Sequence, residues 1–415
     1  MKLLHTGDWH LGKRVHGVSV LEDQAYALSA LLEQIEAEKP DVIVIAGDIY
    51  DRSVPPVEAI TLADQFFRKL RSTWKGQVVM ISGNHDSPER VGFGRGLLAL
   101  SDFYIHTTYQ DALTPIVLKA RGGAVQCFAM PFLEPIVVKS QWEAQGGEWI
   151  WPVTQQGLFE HMCTQWEALL DVDVPKLLVA HAFVGAALPA ENVDGMIATP
   201  GSGEISALGL ELSESERPLS IGGHDIVDGA LFKDFDYVAL GHLHRPQKVG
   251  LASVRYAGSL LKYSFSEAKQ VKGITWVNLT KEGVDSYQTQ IPTLRDLRII
   301  EGTLEQLTQE VLGQGDDYLC VNLTDEGALY EPMRRLRAVY PNCLKMERTA
   351  MVAALSEGRG LSGTATFDEG PGFSSLSPEQ VFDQFYRMVV GEEPDAAHKD
   401  LYRQALVDVL KEGGA

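Results

Sequence analysis

The strongest constraint on the fold is the alternation of strand-like and helix-like segments in the N-terminal part of the chain. The predicted strands cover residues 2–6, 41–46 and 77–81, and the predicted helices cover residues 23–38 and 57–70. Segment 41–46 is a nearly continuous β-branched run, which is typical of a strand buried on both faces. Strands that alternate with helices in this way form a parallel sheet covered by helices, so the sequence predicts an α/β fold.

The middle of the chain is richer in predicted strands. These strands lie at residues 124–129, 176–180, 236–240 and 271–279, and one helix is predicted near residues 156–170. Two stretches, 140–151 and 186–223, are predicted to leave the sheet. A loop as long as the second stretch is usually functional or partly disordered.

After residue 292 the pattern changes to strand, helix, strand, helix and strand. These elements are predicted at residues 297–301, 303–312, 318–324, 332–340 and 344–348. We therefore expect a large domain at 1–291 and a small α+β domain at 292–350. Residues 351–376 are rich in glycine and are predicted to be a linker. Two C-terminal helices are predicted within 377–415.

Polar side chains follow five of the predicted strands, at the point where each strand ends. In chain order they are Asp8 and His10, then Asp48, then Asn84, His85 and Asp86, then His181, and finally His242 and His244. In α/β sheets, ligands bind beyond the carboxyl ends of the strands. Each block alone has an ordinary explanation, such as a turn residue or a core histidine. Five blocks in order predict a single polar site.

Seven of these side chains are candidate metal ligands: Asp8, His10, Asp48, Asn84, His181, His242 and His244. Carboxylate, amide and imidazole ligands without cysteine suit Mn²⁺, Fe²⁺ or Zn²⁺. Seven ligands are too many for one tetrahedral ion, but they suit two ions about 3.5–4 Å apart. Asp48 is the natural candidate for a carboxylate that bridges the two ions.

Composition limits the ways in which the protein could bind a substrate and the compartment in which it acts. The net charge of −20 argues against DNA binding through a broad basic face. The four cysteines, Cys127, Cys163, Cys320 and Cys343, form no Cys-x-x-Cys pair and are expected to be free thiols. No apolar run approaches the roughly 18–20 residues that span a membrane, and no export signal is visible. We therefore expect a cytoplasmic protein.

The five blocks resemble the calcineurin-like metallophosphoesterase superfamily, whose pattern is Asp-x-His, Gly-Asp, Gly-Asn-His-Asp/Glu, His and Gly-His-x-His. The sequence around the blocks is similar to that of the SbcD family of bacterial, Mre-type DNA repair nucleases. The similar segments are residues 5–12, 46–52, 237–247 and 255–267. Leu260 stands where that family usually has proline.

The resemblance implies a two-sheet sandwich flanked by helices, followed by a small α+β DNA-capping domain and C-terminal helices. It implies two divalent metal ions, expected to be Mn²⁺. One ion would be held by Asp8, His10, Asp48 and His244. The resemblance assigns the second ion to Asp48, Asn84, His181 and His242. His85 is then the candidate proton donor or transition-state stabiliser, with Asp86 either orienting it or only capping the loop.

The resemblance also implies an activity and partners. The family comprises double-strand 3′–5′ exonucleases and single-strand or hairpin endonucleases that act in DNA repair, recombination and replication. Its members work as homodimers in a heterotetramer with the ATPase SbcC and are associated with the nucleoid. DNA affinity would come largely from the partner and from local basic patches such as Arg245, Lys248 and Arg255. The C-terminal helices would dock SbcC or, alternatively, pack as a separate subdomain.

Two other functions stay open at the level of sequence. Phosphoprotein phosphatases carry Gly-Asp-x-x-Asp-Arg-Gly, and this chain has a similar segment at residues 47–53 in which Arg52 would bind phosphate. Ser53 and Asp86 depart from the phosphatase pattern. A scaffold without catalysis, which only holds a partner ATPase, would be favoured by loss of a ligand, and all seven candidate ligands are present.

Overall fold

The computed structural model describes residues 1–120, 122–185, 210–216, 226–309, 315–325 and 329–348, together with 386, 394–395, 398–399 and 401–402. The chain divides into two compact units, Met1–Ala350 and Met351–Ala415. The fold described below is that of the first unit. The predicted linker and C-terminal helices lie almost entirely outside the described residues. No helix in the described ranges is long and apolar enough to cross a membrane.

The described part contains nineteen strands. In chain order they are β1 (Lys2–Thr6), β2 (Arg14–Val15), β3 (Val18–Ser19), β4 (Val42–Ala46), β5 (Gln77–Ile81), β6 (Phe103–His106), β7 (Ile116–Ala120), β8 (Gly123–Met130), β9 (Lys176–His181), β10 (Phe183–Gly185), β11 (Ile226–Asp228), β12 (Tyr237–Gly241), β13 (Gln247–Val249), β14 (Leu251–Tyr256), β15 (Gly273–Thr280), β16 (Gly283–Gln290), β17 (Leu297–Gly302), β18 (Tyr318–Leu323) and β19 (Cys343–Arg348).

The α-helices of the same residues are mostly short. They are α1 (Leu21–Glu38), α2 (Val57–Thr73), α3 (Pro88–Val91), α4 (Arg95–Ala99), α5 (Tyr109–Ala112), α6 (Pro135–Ala144), α7 (Gln155–Glu167), α8 (Leu304–Gln309) and α9 (Pro332–Val339). The two long helices, α1 and α2, match the predicted helices apart from a few terminal residues.

Two six-stranded sheets form the body of the unit. The first has the order β16-β15-β1-β4-β5-β6, and the second has the order β13-β14-β12-β9-β8-β7. In the first sheet, β1, β4, β5 and β6 are parallel, whereas β15 and β16 are antiparallel to their neighbours. The prediction of a parallel N-terminal sheet is therefore confirmed for its four N-terminal strands, and the complete sheet is mixed.

The two sheets face each other across an apolar core. Side chains from both sheets are fully buried there, including Leu3, Val44 and Val79 from the first sheet and Val179 and Ala239 from the second. Helices α1 and α2 pack on the outer face of the first sheet, and α7 packs on the outer face of the second. The expected two-sheet sandwich flanked by helices is confirmed.

A three-stranded subdomain follows the sandwich. Its strands β17, β18 and β19 are parallel, and helices α8 and α9 cover them around a separate apolar core. Leu297 and Tyr318 also belong to the apolar core beneath α1, so the subdomain packs directly against the sandwich.

The stretch at 140–151, predicted to leave the sheet, contains the second half of helix α6. The helix ends at Ala144, and Gly146 then turns the chain with φ at 85°. Trp142, Trp149 and Trp151 pack their rings around His161, which anchors the stretch to α7. Of the second stretch, 186–223, only residues 210–216 are described. All four cysteines are free thiols, as predicted.

Candidate metal centre

Five loops converge at one edge of the sandwich, where the carboxyl ends of β1, β4, β5, β9 and β12 meet. The loops bind one another through the backbone: the Asp8 amide donates to the Gly47 carbonyl at 3.0 Å, and the His10 amide donates to the Asp48 carbonyl at 2.9 Å. Side chains join the two sheets, because the His242 amide donates to Asp8 Oδ1 at 2.8 Å. All nine predicted site residues lie here, and all except Asn84 are buried.

The backbone is strained at four of the seven predicted ligands. Asp8, His10, Asp48 and His242 have φ values of 52°, 45°, 51° and 106°, in the left-handed region that side-chain-bearing residues rarely adopt. Each such residue costs on the order of 1–3 kcal/mol and persists only where the surrounding structure enforces it. Strain of this kind clusters at functional sites.

Two glycines permit the close approach of the loops. A Cβ atom at Gly241 would lie 1.8 Å from the Ala46 carbonyl oxygen, and one at Gly83 would lie 2.2 Å from Asp48 Oδ1. Any side chain at either position would push the loops apart. This explains why Gly precedes His242 and Asn84 in the sequence.

Around Asp48 Oδ2, atoms that can accept a hydrogen bond or bind a metal ion face one another. His181 Nδ1 donates to the Ala46 carbonyl at 2.8 Å, so the lone pair of the neutral ring lies on Nε2. That Nε2 atom lies 3.0 Å from Asn84 Oδ1 and 3.4 Å from Asp48 Oδ2. Three converging acceptors need a cation, and these donor atoms suit a divalent metal ion.

A second cluster of candidate ligand atoms also includes Asp48 Oδ2. His10 Nε2 is 3.5 Å from Asp48 Oδ2 and 3.0 Å from His244 Nε2. Two buried atoms, Asp8 Oδ2 and His10 Nδ1, have no hydrogen-bond partner among the described residues. Buried polar atoms are normally paired. The residues present therefore fit the metal ions that the ligand types suggest.

Burial and neighbouring charges set the protonation of these groups. Burial lowers the pKa of His10 and of His242 well below the usual value, so both rings are neutral and able to act as ligands. Burial raises the pKa of Asp8 to about 8. Burial acts in the same direction on Asp48, but the nearby His181 and His10 outweigh it and hold the Asp48 pKa well below its usual value.

His181 behaves differently from the other histidines. Burial opposes its charge, yet the adjacent Asp48 carboxylate raises the pKa of His181 to about 9. In the metal-free chain a proton on His181 thus neutralises part of the charge of the site, at the point where acceptors converge. A divalent cation there would replace that proton.

Two groups of side chains bring candidate ligand atoms within 4.8 Å of one another: Asp8, Asp48 and His181, and His10, Asp48 and His85. Asp48 belongs to both groups, as a bridging carboxylate would. His242 packs its ring 5.4 Å from that of His181. His85 belongs to the second group, although the sequence assigned it a catalytic role and no ligand role.

His85 and Asp86 make separate contacts, which bear on the two roles left open for Asp86. His85 Nδ1 donates to the Asp51 carbonyl oxygen at 2.7 Å, so the backbone of Asp51 orients the ring. The Asp86 carboxylate instead accepts the backbone amides of Gly83, Ile49 and Tyr50. Of the two roles left open for Asp86, these contacts agree with the capping role, because its oxygens face amide donors on two loops.

Sequence reasoning missed a set of polar residues behind His244. Ser215 Oγ lies 2.6 Å from His244 Nδ1, and the buried Glu267 carboxylate lies 3.5 Å from the same atom. Lys272 Nζ pairs with Glu267 at 2.7 Å. Glu267 lies in segment 255–267, which carries part of the family resemblance but predicts no role for this residue. Ser215 and Lys272 had no such signal.

Comparison with known proteins identifies the family of the chain. The model of the family described as Calcineurin-like phosphoesterase matches residues 1–246. A second model, SbcD_C, described as Type 5 capsule protein repressor C-terminal domain, matches residues 293–389. A solved crystal structure of the protein TT1561 of Thermus thermophilus aligns with 69% of this chain and 98% of that chain, at 14% identity and a TM-score of 0.36.

Two curated relatives are similar over their whole length. The D subunit of nuclease SbcCD from Staphylococcus saprophyticus is 33% identical over 415 residues, which cover 100% of both chains. The D subunit of nuclease SbcCD from Staphylococcus epidermidis is 31% identical over 423 residues, with the same coverage. The family model covers more than half of the chain, and these relatives match it from end to end. The chain therefore belongs to the calcineurin-like phosphoesterase family and, within it, to the SbcD family.

Proposed function

We propose that this chain is a metal-dependent DNA nuclease, the nuclease component of an SbcCD complex. The observation that carries the proposal is that the buried Asp48 carboxylate belongs to two groups of candidate metal ligands, in a chain whose full-length relatives are named nucleases. The finer activities are part of the proposal: double-strand 3′–5′ exonuclease, and single-strand or hairpin endonuclease. They would process DNA ends and hairpins in repair, recombination and replication.

Seven side chains would hold two divalent ions, which we propose to be Mn²⁺. Asp8, His10, Asp48 and His244 would bind one ion, and Asp48, Asn84, His181 and His242 would bind the other. When bound, the ions supply Lewis acidity that polarises the scissile phosphodiester and activates the attacking water. The Ala46 carbonyl, by accepting the Nδ1 proton of His181, keeps the Nε2 lone pair directed into the site.

His85 is the proposed proton donor. Its Nδ1 donates to the Asp51 carbonyl, which leaves Nε2 as the remaining ring nitrogen, and its ring packs 4.6 Å from that of His10. From there Nε2 would deliver a proton to the sugar oxygen that leaves as the phosphodiester breaks. Burial of His10 and His85 keeps bulk water away from this transfer.

The basic residues expected to meet DNA need one correction. Arg255 is buried and donates to Ser286 Oγ at 3.1 Å, so it is part of the protein interior and cannot contact DNA. Arg245 pairs with Glu211, whereas Lys248 is exposed. With a net charge of −20, DNA affinity would come mainly from the ions and from the partner.

We propose that the chain works as a homodimer bound to the ATPase SbcC, in a heterotetramer associated with the nucleoid. An exposed apolar surface supports self-association: Phe93, Leu97 and Leu100 are 86%, 74% and 83% exposed around helix α4. Apolar patches of this kind mark protein interfaces. The segment from residue 377 onward is proposed to dock SbcC. Deleting it should abolish capture by SbcC and preserve hydrolysis of a small phosphodiester.

The deciding experiment compares substrates and metals on the full chain. Double-stranded DNA with labelled ends, a DNA hairpin and a phosphopeptide are incubated with Mn²⁺ or Mg²⁺. We expect cleavage of DNA with Mn²⁺ and no release of phosphate from the peptide. His85→Ala should abolish cleavage, whereas His106→Ala, a histidine at the end of β6 outside the centre, should not. Phosphopeptide hydrolysis without DNA cleavage would favour the phosphatase instead.

A further inference from the structure

A short described segment, residues 210–216, lies directly against His244. Ser215 Oγ is 2.6 Å from His244 Nδ1, and Glu216 Oε1 accepts the backbone amide of His244 at 2.6 Å. The Ser213 amide donates to the other carboxylate oxygen of Glu216 at 2.9 Å. Both the ring and the backbone of His244 are thus held by residues that precede it by nearly thirty positions.

A buried ion pair lies behind this segment. Glu267 is fully buried and pairs with Lys272 at 2.7 Å. Its carboxylate also accepts the hydroxyls of Ser213, at 2.6 Å, and of Ser215. Lys272 Nζ reaches the His244 carbonyl oxygen at 2.7 Å. Burying two charges is unfavourable unless both are paired. Here the paired groups, together with Ser215, surround His244.

The contacts form a hydrogen-bond chain with a defined direction. The Glu267 carboxylate has no proton to donate, so it accepts a hydrogen bond from the Ser215 hydroxyl. The Ser215 oxygen is then left to accept the Nδ1 proton of His244. The lone pair of the ring must therefore lie on Nε2, the atom that faces His10 Nε2 at 3.0 Å.

We propose that Ser215, Glu267 and Lys272 are positioning residues that fix the tautomer and the orientation of His244, and thereby set the affinity of one of the two metal sites. This inference rests on the proposed metal-dependent function. It predicts an asymmetry between the sites. His181, which is proposed to bind the other ion, is oriented by the Ala46 backbone carbonyl, so its site does not depend on these three side chains.

The first test measures metal binding. Full-length protein stripped with EDTA is titrated with Mn²⁺ by calorimetry as the wild type, Ser215→Ala, Glu267→Gln and Ser266→Ala. Ser266 is the matched control, because its hydroxyl bonds to the Ser213 and Ser264 hydroxyls and the Glu214 amide. Removal of partners that orient a ligand typically lowers metal affinity by about 10–100-fold. We expect about that loss for one ion in Ser215→Ala and Glu267→Gln, and none in Ser266→Ala.

The second test reads the tautomer of His244 without any metal. Imidazole ¹⁵N shifts of histidine-labelled, metal-free protein should place the His244 proton on Nδ1 in the wild type. In Ser215→Ala the Nε2-protonated form should become populated. Equal loss of both ions, unchanged Mn²⁺ affinity in Ser215→Ala, or an unchanged tautomer would overturn the inference.

The two tests separate failure of the inference from failure of the proposed function. If the wild type binds no Mn²⁺, the proposed function fails, and the tautomer measurement still decides the role of Ser215. If Glu267→Gln does not fold, Ser215→Ala, which leaves the ion pair in place, carries both tests.

Discussion

One buried carboxylate, Asp23 in the first turn of α1, adds a polar contact between the three-stranded subdomain and the sandwich. The Tyr318 hydroxyl of β18 donates to Asp23 Oδ2 at 2.9 Å, and Arg295 Nε lies 3.2 Å from Asp23 Oδ1. The Arg295 guanidinium also packs over the Tyr318 ring, 5.5 Å from its centre. Asp23 and Tyr318 are 2% and 3% exposed, so water cannot replace a lost hydrogen bond.

Tyr318→Phe removes only the hydroxyl and keeps the packing of the ring. A hydrogen bond to a charged group contributes about 1.5–3 kcal/mol to stability, and leaving a buried acceptor unsatisfied lowers the stability by a similar amount. Arg295 still compensates the Asp23 charge, so we expect the free energy of unfolding to fall by about 2 kcal/mol. Asp23→Asn combined with Tyr318→Phe should show a coupling energy of about 1 kcal/mol or more, because the two groups share one bond.

Urea denaturation followed by tryptophan fluorescence measures both quantities. Tyr287→Phe is the control, since this residue on β16 is 41% exposed, and it should change the free energy of unfolding by less than about 0.5 kcal/mol. A Tyr318→Phe variant as stable as this control would refute the reasoning. Additive effects in the double variant would show that the hydroxyl and the carboxylate are not coupled.

Three other changes test the sandwich and the centre. Burial lowers the pKa of His161 to about 4, so stability should be lost as pH falls from 6.5 toward 4; thermal melts at about pH 7 and pH 5 should show a smaller loss for His161→Gln. Asp48→Asn should weaken both Mn²⁺ sites in a calorimetric titration, and one site left intact would rule out a bridge. Gly241→Ala places a Cβ 1.8 Å from the Ala46 oxygen and should destabilise the fold by on the order of 4 kcal/mol in urea denaturation, whereas Gly96→Ala, with open space, should be tolerated.

The N-terminal strands and their polar loops could be predicted because their signals are local. The boundaries of β1 and β5 coincide with the predicted segments 2–6 and 77–81, since each is a short buried run followed by a loop that carries polar residues. The rule that ligands gather at the carboxyl ends of strands then brought Asp8, Asp48 and His181 together without knowledge of the sheet order.

Contacts between distant segments left no such signal. Strand β15 pairs antiparallel with β1, with Thr275 opposite His5, and nothing in either segment specifies this neighbour. The acceptor that orients His85 is a backbone carbonyl, which every residue possesses, so the sequence suggested the Asp86 side chain instead. Ser215 meets His244 only because the fold brings residues 210–216 to the centre.

The central claim is that two metal ions bind on either side of Asp48 and that this centre hydrolyses DNA. The most direct measurement is anomalous diffraction at the manganese edge from crystals of the full chain grown with Mn²⁺, with DNA cleavage assayed on the same preparation. We expect two anomalous peaks, both beside Asp48, one near His10 and His244 and the other near His181 and His242, in protein that degrades double-stranded DNA. A single peak, peaks away from Asp48, or two correctly placed ions in protein that leaves DNA intact would contradict the account.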